Sequence, residues 1–212
     1  MIAEKPGLTI HKLEKIFLGL ILGGIAPIFC LLSGWWGAYF FAPQNQIPFF
    51  MLAGLGLGLT IDLFFLGHWI SLAYRIPPII LMAIYLFYSI GIFGFFMGVP
   101  VFNAVMGPLA GFYISRRLGI EKVPSEEKQR SIHWTGLFAS FILAVGCFAA
   151  LVLAVSETSL AANINGMLHD MLGLNTSFDN QTILILSSLA GVGMVVGEYY
   201  LTRVIVKKAL LL

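Results

Sequence analysis

The sequence predicts an all-α integral membrane protein, a compact bundle of six transmembrane helices with both termini on the cytoplasmic side. Three observations lead to this prediction. The 212 residues are 59% hydrophobic and 10% charged, whereas a soluble domain carries about 25% charged residues. Six stretches are apolar over the roughly 20 residues that a bilayer crossing requires. The basic residues, finally, are confined to alternate connections between these stretches.

The six predicted helices form a single polytopic membrane domain that covers residues 1–212. Each stretch is continuously apolar, which excludes a β-barrel, because barrel strands alternate polar and apolar residues. The predicted bounds are Ile16–Phe41, Phe49–Trp69, Pro77–Met97, Pro100–Leu118, Ile132–Val155 and Thr182–Ile205.

The distribution of lysine and arginine predicts the orientation. All 12 basic residues lie in the N-terminal tail, in the second and fourth connections, and at the C-terminal end. Because positive charge is retained on the cytoplasmic side during insertion, both termini are expected to be cytoplasmic, in a plasma or inner membrane. The net charge of +2 therefore reflects sidedness and gives no reason to expect a nucleic-acid partner.

Two connections carry helical signals of their own. Ser125 is followed by two glutamates, which is typical of a helix start with a hydroxyl N-cap and acids in the first turn. The external connection Ser156–Gln181 has apolar residues at helical spacing, and Gly173 ends the pattern. We therefore expect a short amphipathic helix near Thr158–Leu172, on the outer surface or capping the bundle.

Small residues four positions apart recur in the predicted helices and indicate close helix packing. Lipid provides no hydrophobic drive between helices, so close backbone approach must supply the association. The pairs are Gly19/Gly23, Gly54/Gly58, Gly94/Gly98, Gly107/Gly111, Gly146/Ala150 and Gly193/Gly197.

Asp62 is the polar residue that most needs an explanation. It continues the stripe of Gly54 and Gly58 at intervals of four, so it is expected to face other helices. It lies about 20 Å below the outer end of its helix. A carboxylate at that depth costs several kcal/mol unless it is paired, hydrated or protonated. Because no basic residue lies at comparable depth, we expect Asp62 to bind a proton or cation, or to bond to another helix.

Five further residues complete a predicted midplane site around Asp62. Asn103 begins a second small-residue stripe and can bond across helices. Pro27 and Pro108 each remove a backbone donor, which would free the carbonyls of Gly23 and Ala104. Interrupted helices at corresponding places in two inverted halves are a feature of transporter binding sites.

Glu198 is the last candidate binding residue, near the inner end of the sixth predicted helix. Its proximity to Arg203 in the sequence also allows a structural ion pair, or an acid that reaches the interface. No C-x-x-C, H-x-x-x-H, H-E-x-x-H or Gly-x-Ser-x-Gly motif occurs. The sequence therefore predicts no catalytic residue, no metal site and no cofactor.

Transport of a small solute or ion is the favoured function, with a small cationic solute or a proton as the expected ligand. In helix number and orientation the chain resembles the small substrate-binding subunits of vitamin uptake systems. The resemblance covers the architecture only, and it implies no substrate-binding residue in this chain. A non-catalytic scaffold or accessory subunit, working with partner subunits or as a homo-oligomer, is the alternative. A membrane-embedded lipid-modifying enzyme is the second alternative.

Overall fold

The computed structural model describes residues 12–121, 123–157, 159–173 and 177–210, and helices account for nearly all of them. No strand occurs within these ranges. Two compact units can be distinguished, Met1–Leu81 and Met82–Leu212. The α-helices are α1 (Lys12–Gly23), α2 (Ile25–Phe41), α3 (Ile47–Leu72), α4 (Pro78–Phe95), α5 (Met106–Ile120), α6 (Ser125–Ser156), α7 (Leu160–Leu172) and α8 (Asn180–Ala209).

Within the described residues, five helical segments are long and apolar enough to cross a membrane, as expected for an integral membrane protein. They correspond to five of the six predicted spans, all except the fourth. The segments are Glu14–Phe41, Gln44–Arg75, Pro78–Phe95, Ser125–Ser156 and Asn180–Ala209.

The fourth predicted helix, Pro100–Leu118, is not one continuous α-helix. It begins as a 3-10 helix, Pro100–Val105, and only then becomes α5, which has 15 residues. Pro108 lies in the first turn of α5, where a missing N–H removes no intrahelical bond. Pro108 is the third residue of α5, as Pro27 is the third residue of α2, and the regular α-helix begins only at Met106. The interruption predicted from Pro108 is therefore present as the change from the 3-10 helix to α5, and Ala104 belongs to the 3-10 helix.

In the first unit, α2 and α3 approach each other at backbone distance. A Cβ atom at Gly54 would lie 2.2 Å from the Cys30 carbonyl oxygen, and one at Gly58 would lie 2.4 Å from the Pro27 Cα. Only glycine permits this approach, since a side chain would have to displace backbone atoms. A Cβ at Gly56 would meet nothing within 4 Å among the described residues.

A break at Gly24 separates α1 from α2. Pro27 lacks the N–H that would bond to the Gly23 carbonyl, and the regular helix is lost at that point. The chain keeps its direction locally, because the Gly24 N–H donates to the Leu20 carbonyl and the Ile28 N–H donates to the Gly24 carbonyl, both at 3.2 Å. The helix interruption predicted from Pro27 is therefore present.

In the second unit, α8 packs against α5, α6 and α7. The helix α4, which comes before α5 in the chain, ends in a Schellman motif. In this motif the Gly98 N–H donates to the Phe93 carbonyl at 2.8 Å, and the Met97 N–H donates to the Gly94 carbonyl at 3.1 Å. The motif places Met97 and Gly98 at positive φ, 55° and 82°. Gly98 accepts that conformation without strain because it has no Cβ.

The start of α6 agrees with the sequence in position but not in its cap. The helix begins at Ser125 with two glutamates in its first turn, as predicted. The N-cap residue is Pro124, and no side-chain cap bond forms there. The predicted hydroxyl cap at Ser125 is therefore wrong.

The helix α7 occupies the connection for which a short helix was predicted, and Gly173 follows it with a φ of 65°. Leu160 and Ile164 are half-buried. Two further parts of that prediction, Thr158 and the side chain of Leu168, fall outside what the structure describes.

Two asparagines attach α7 to the start of α8. The Asn165 amide donates to the Phe178 carbonyl at 2.8 Å and accepts from the Phe178 N–H at 2.9 Å. The Asn180 side-chain oxygen accepts from the Ala161 N–H in the first turn of α7, at 3.0 Å. These bonds hold α7 beside the N-terminus of α8.

The close contact between α2 and α3 predicts opposite effects of two alanine substitutions. Gly54→Ala should destabilise the protein by about 1–3 kcal/mol, because the added methyl overpacks the backbone contact. Gly56→Ala on the same helix should be neutral or slightly stabilising, since alanine is the better helix former. Thermal unfolding in detergent would compare them, and equal midpoints for the two variants would contradict the contact.

The N-cap of α8 predicts a pH effect. The Asp179 carboxylate accepts from the Thr182 N–H at 3.2 Å, and hydrogen bonds from Thr182 hold the pKa of Asp179 below its ordinary value. The stabilisation is therefore complete above the unfolded pKa of about 3.9 and is lost as the pH falls through the lower folded value. The unfolding midpoint should fall over this acidic range by more in the unaltered chain than in Asp179→Asn, whose amide accepts at every pH. Identical pH profiles would show that the cap does not contribute.

Candidate functional site

In the first unit, Asp62 lies against the break between α1 and α2. A Cβ at Gly23 would lie 3.5 Å from Asp62 Oδ2, so the carboxyl faces the end of α1. Its other oxygen, Oδ1, is buried and has no hydrogen-bond partner within the described chain. Gly23 is also the residue whose carbonyl loses its helical donor at Pro27. The structure thus brings three predicted site residues into one region of the first unit.

A second buried acid in the first unit escaped the sequence analysis. Glu14 is 4% exposed and accepts a short hydrogen bond from the Tyr74 hydroxyl, which is itself buried. It was missed because the first predicted helix began at Ile16, which left Glu14 in the tail. Since its carboxyl is already bonded to Tyr74, it is a structural acid in this arrangement.

In the second unit, Glu198 is the most deeply buried acid among the described residues. It is 2% exposed, and its Oε1 accepts from the Gly107 N–H at 2.8 Å. Gly107 is the second residue of α5, and the first four N–H groups of a helix have no intrahelical acceptor. The Glu198 carboxyl of α8 therefore accepts from an N–H group at the start of α5 that has no acceptor within its own helix.

Gly107 also defines the immediate surroundings of that carboxyl. A Cβ there would lie 2.1 Å from Glu198 Oε1 and 2.4 Å from Thr202 Oγ1. The two oxygens are consequently no farther apart than the sum of these distances. Glu198 Oε2 and Thr202 Oγ1 are both buried and have no hydrogen-bond partner among the residues described.

Asn103 has a third buried side-chain oxygen that lacks a hydrogen-bond partner among the described residues. It lies in the 3-10 helix four residues before Gly107, and this helix contacts α8. The Asn103 Nδ2 donates to the Ser89 carbonyl at 3.0 Å, while its buried Oδ1 has no partner in the described part of the chain. We call Glu198, Thr202 and Asn103 the buried oxygen cluster.

The expected ion pair between Glu198 and Arg203 does not form. Within the described chain, Glu198 makes one hydrogen bond, which is the one from the Gly107 N–H. Arg203 instead donates from Nη1 to the Tyr199 hydroxyl at 2.9 Å, and its guanidinium lies over the Tyr199 ring. His133 Nδ1 is 2.9 Å from the same hydroxyl. The alternative of an acid reaching the interface is also wrong, because Glu198 is almost fully buried.

The structure therefore divides the predicted site residues between the two units. Asp62, Gly23 and Pro27 belong to the first unit, and Asn103, Ala104, Pro108 and Glu198 belong to the second. Thr202 was not predicted, although its position four residues after Glu198 places both on one face of α8. That spacing was the signal that could have identified it.

The chemistry of the buried oxygen cluster is that of a cation or hydrogen-bond-donor site. It presents carboxyl, amide and hydroxyl oxygens in an apolar surrounding, and no Lys or Arg of the described chain pairs with the carboxyl. No group of three or more His, Cys, Asp or Glu residues that could hold a metal ion occurs in the ranges described. A lone carboxylate there is costly unless it is protonated or bound to a cation.

No protein-family model, no curated protein and no solved structure matches this chain.

The bond between Glu198 and Gly107 predicts different stabilities for two substitutions. Glu198→Leu should destabilise the protein by about 1–3 kcal/mol relative to Glu198→Gln, because leucine leaves the buried Gly107 N–H without an acceptor. Thermal unfolding in detergent would measure the difference. The same pair of changes at exposed Glu127 of α6 is the control and should differ little. Equal stability of the two Glu198 variants would refute the structural role of this bond.

Proposed function

We propose that this chain is a small multi-pass membrane transporter, or the substrate-binding membrane subunit of one, which binds a proton or a small cationic solute. The observation that carries the proposal is Glu198, a 2% exposed carboxyl with one oxygen unpartnered in the described chain. The Gly107 N–H satisfies one oxygen of this carboxyl, but burial of the other oxygen is costly unless a proton, a cation or a hydrogen-bond donor binds it. Intramembrane acids of this kind mark ion and substrate pathways.

Asp62 is the second binding group in this proposal. Its free Oδ1 and its position beside Gly23 provide a carboxyl and a carbonyl that lacks its helical donor. Discontinuous helices in transporters offer such carbonyls to ions. Asp62 would thus act in the first unit as Glu198 acts in the second.

The proposal includes six membrane crossings, with both termini in the cytoplasm. The 3-10 helix Pro100–Val105 and α5 together are roughly 34 Å long, at about 2.0 Å and 1.5 Å per residue. This length is sufficient for the hydrocarbon core of about 30 Å. A sixth crossing there keeps all basic residues on one side, which five crossings do not. Packing through small residues, as between α2 and α3, is consistent with association in lipid.

A scaffold or accessory subunit is the second candidate function. It is favoured by glycines that have no neighbour in the described chain, since Cβ atoms at Gly94, Gly193 and Gly197 would meet nothing within 4 Å. Helix faces of this kind suit a partner subunit or a second copy of the chain.

Charge movement in proteoliposomes would test the transport proposal. After a rapid change of external sodium or pH, the unaltered chain should displace charge across the membrane. Asp62→Asn and Glu198→Gln should reduce the signal at least tenfold while the unfolding midpoint stays close to that of the unaltered chain, because each amide keeps the volume and loses the charge. Glu127→Gln is the matched control and should leave the signal unchanged. Absence of any charge movement in the well-folded unaltered chain would favour the scaffold.

A further inference from the structure

We infer that the buried oxygen cluster is a binding site for one monovalent hard cation of the size of sodium, coordinated by Glu198 Oε2, Thr202 Oγ1 and Asn103 Oδ1. The inference rests on the proposed function, since it names the ligand of that same site.

Two of the three side chains, Glu198 and Asn103, are held so that one oxygen remains available. The Gly107 N–H occupies Glu198 Oε1, which leaves Oε2 free. The Ser89 carbonyl occupies the nitrogen of the Asn103 amide, which leaves Oδ1 free. Both bonds come from backbone groups, so the two side chains are oriented before any ligand binds. Preorganisation of this kind reduces the cost of ordering on binding.

The close contact at Gly107 brings two of the three side chains, Glu198 and Thr202, together. Glu198 Oε1 and Thr202 Oγ1 are both within 2.4 Å of one point, the Cβ position of Gly107. Nevertheless the Thr202 hydroxyl makes no hydrogen bond, either to the carboxyl or to any other described residue. Ligand oxygens lie about 2.3–2.6 Å from a cation of sodium's size, so oxygens that share it are roughly 3–5 Å apart.

The identity of the ligand atoms selects a hard cation. Carboxylate, amide and hydroxyl oxygens suit alkali and alkaline-earth ions, whereas transition metals favour imidazole or thiolate. The cluster contains only oxygens. Its neighbours on the 3-10 helix and α5 contribute backbone groups and no histidine or cysteine.

The charge of the cluster selects a monovalent ion. Glu198 is its one acid, so a sodium ion would make the site neutral, and a divalent ion would leave an uncompensated positive charge in an apolar surrounding. A proton would also neutralise the carboxyl, and with the hydrogen of the Thr202 hydroxyl the site would then hold two donors for three oxygens. A cation can coordinate all three at once.

Equilibrium binding of ²²Na⁺ to the full chain in detergent tests the inference, with choline chloride used to keep the ionic strength constant. The unaltered chain should bind sodium saturably, with one ion per chain. Thr202→Val keeps the shape of the side chain and removes the hydroxyl, and it should weaken binding at least tenfold. Thr202→Ser keeps the hydroxyl and should bind within about threefold of the unaltered chain. Glu198→Gln should abolish saturable binding.

Each contrary outcome has a definite meaning. Absence of saturable sodium binding by the folded unaltered chain would overturn the inference, as would equal binding by Thr202→Val and Thr202→Ser. Charge movement after a pH jump without sodium binding would replace sodium by the proton and leave the transport proposal intact. Sodium binding without charge movement in proteoliposomes would support the site and refute transport.

Discussion

The arrangement of the second unit depends on one hydrogen bond, from the Gly107 N–H to the Glu198 carboxyl. The start of a helix has donors without acceptors and a partial positive charge, and a carboxyl satisfies both. The bond forms only because residue 107 is glycine, since a Cβ would lie 2.1 Å from the accepting oxygen. It lies where the 3-10 helix gives way to α5, and it joins the start of α5 to the face of α8 that carries Glu198. The other carboxyl oxygen is left without a partner as a consequence.

The first unit meets the same constraint differently. Here the unsatisfied group is a carbonyl, released by Pro27 at the end of α1, and the acid that lies beside it is Asp62. A carbonyl and a carboxylate are both acceptors, so they cannot satisfy each other without a proton, a cation or water between them. In the second unit the Gly107 N–H donates directly to Glu198 Oε1. The oxygens left without a partner among the described residues are Glu198 Oε2, Thr202 Oγ1 and Asn103 Oδ1.

The sequence predicts the helices well where composition decides and poorly where local geometry decides. Long apolar runs identify five segments that can cross a membrane, and Pro27 identifies the break at Gly24. The 3-10 helix before α5 was missed because an apolar run looks the same in both helix types. The burial of Glu198 was missed because its depth was judged from its distance along the chain to Arg203. The burial of Glu198 depends on the packing of α5 against α8, and the spacing of residues within α8 does not reveal that packing.

Thr202 shows why a site can contain a residue that the sequence does not identify. Hydroxyls in helices commonly bond to the carbonyl one turn earlier, as Thr60, Thr135 and Ser188 do. Thr202 has the same local sequence opportunity but makes no such bond. Its difference arises from the close contact with Gly107, which is 95 positions away in the sequence. A threonine of this kind can be recognised only once the two helices are placed together.

The hydrogen bonds of Asn165 and Asn180 join α7 firmly to the start of α8. This helix has 30 residues and is about 45 Å long, and it carries Glu198 in its interior and α7 at its N-terminal end. Because Asn165 both donates to and accepts from one residue, Phe178, α7 cannot pivot about that point without breaking two bonds. Any tilt or axial shift of α8 would therefore carry α7 with it, because hydrogen bonds join α7 to the N-terminal end of α8.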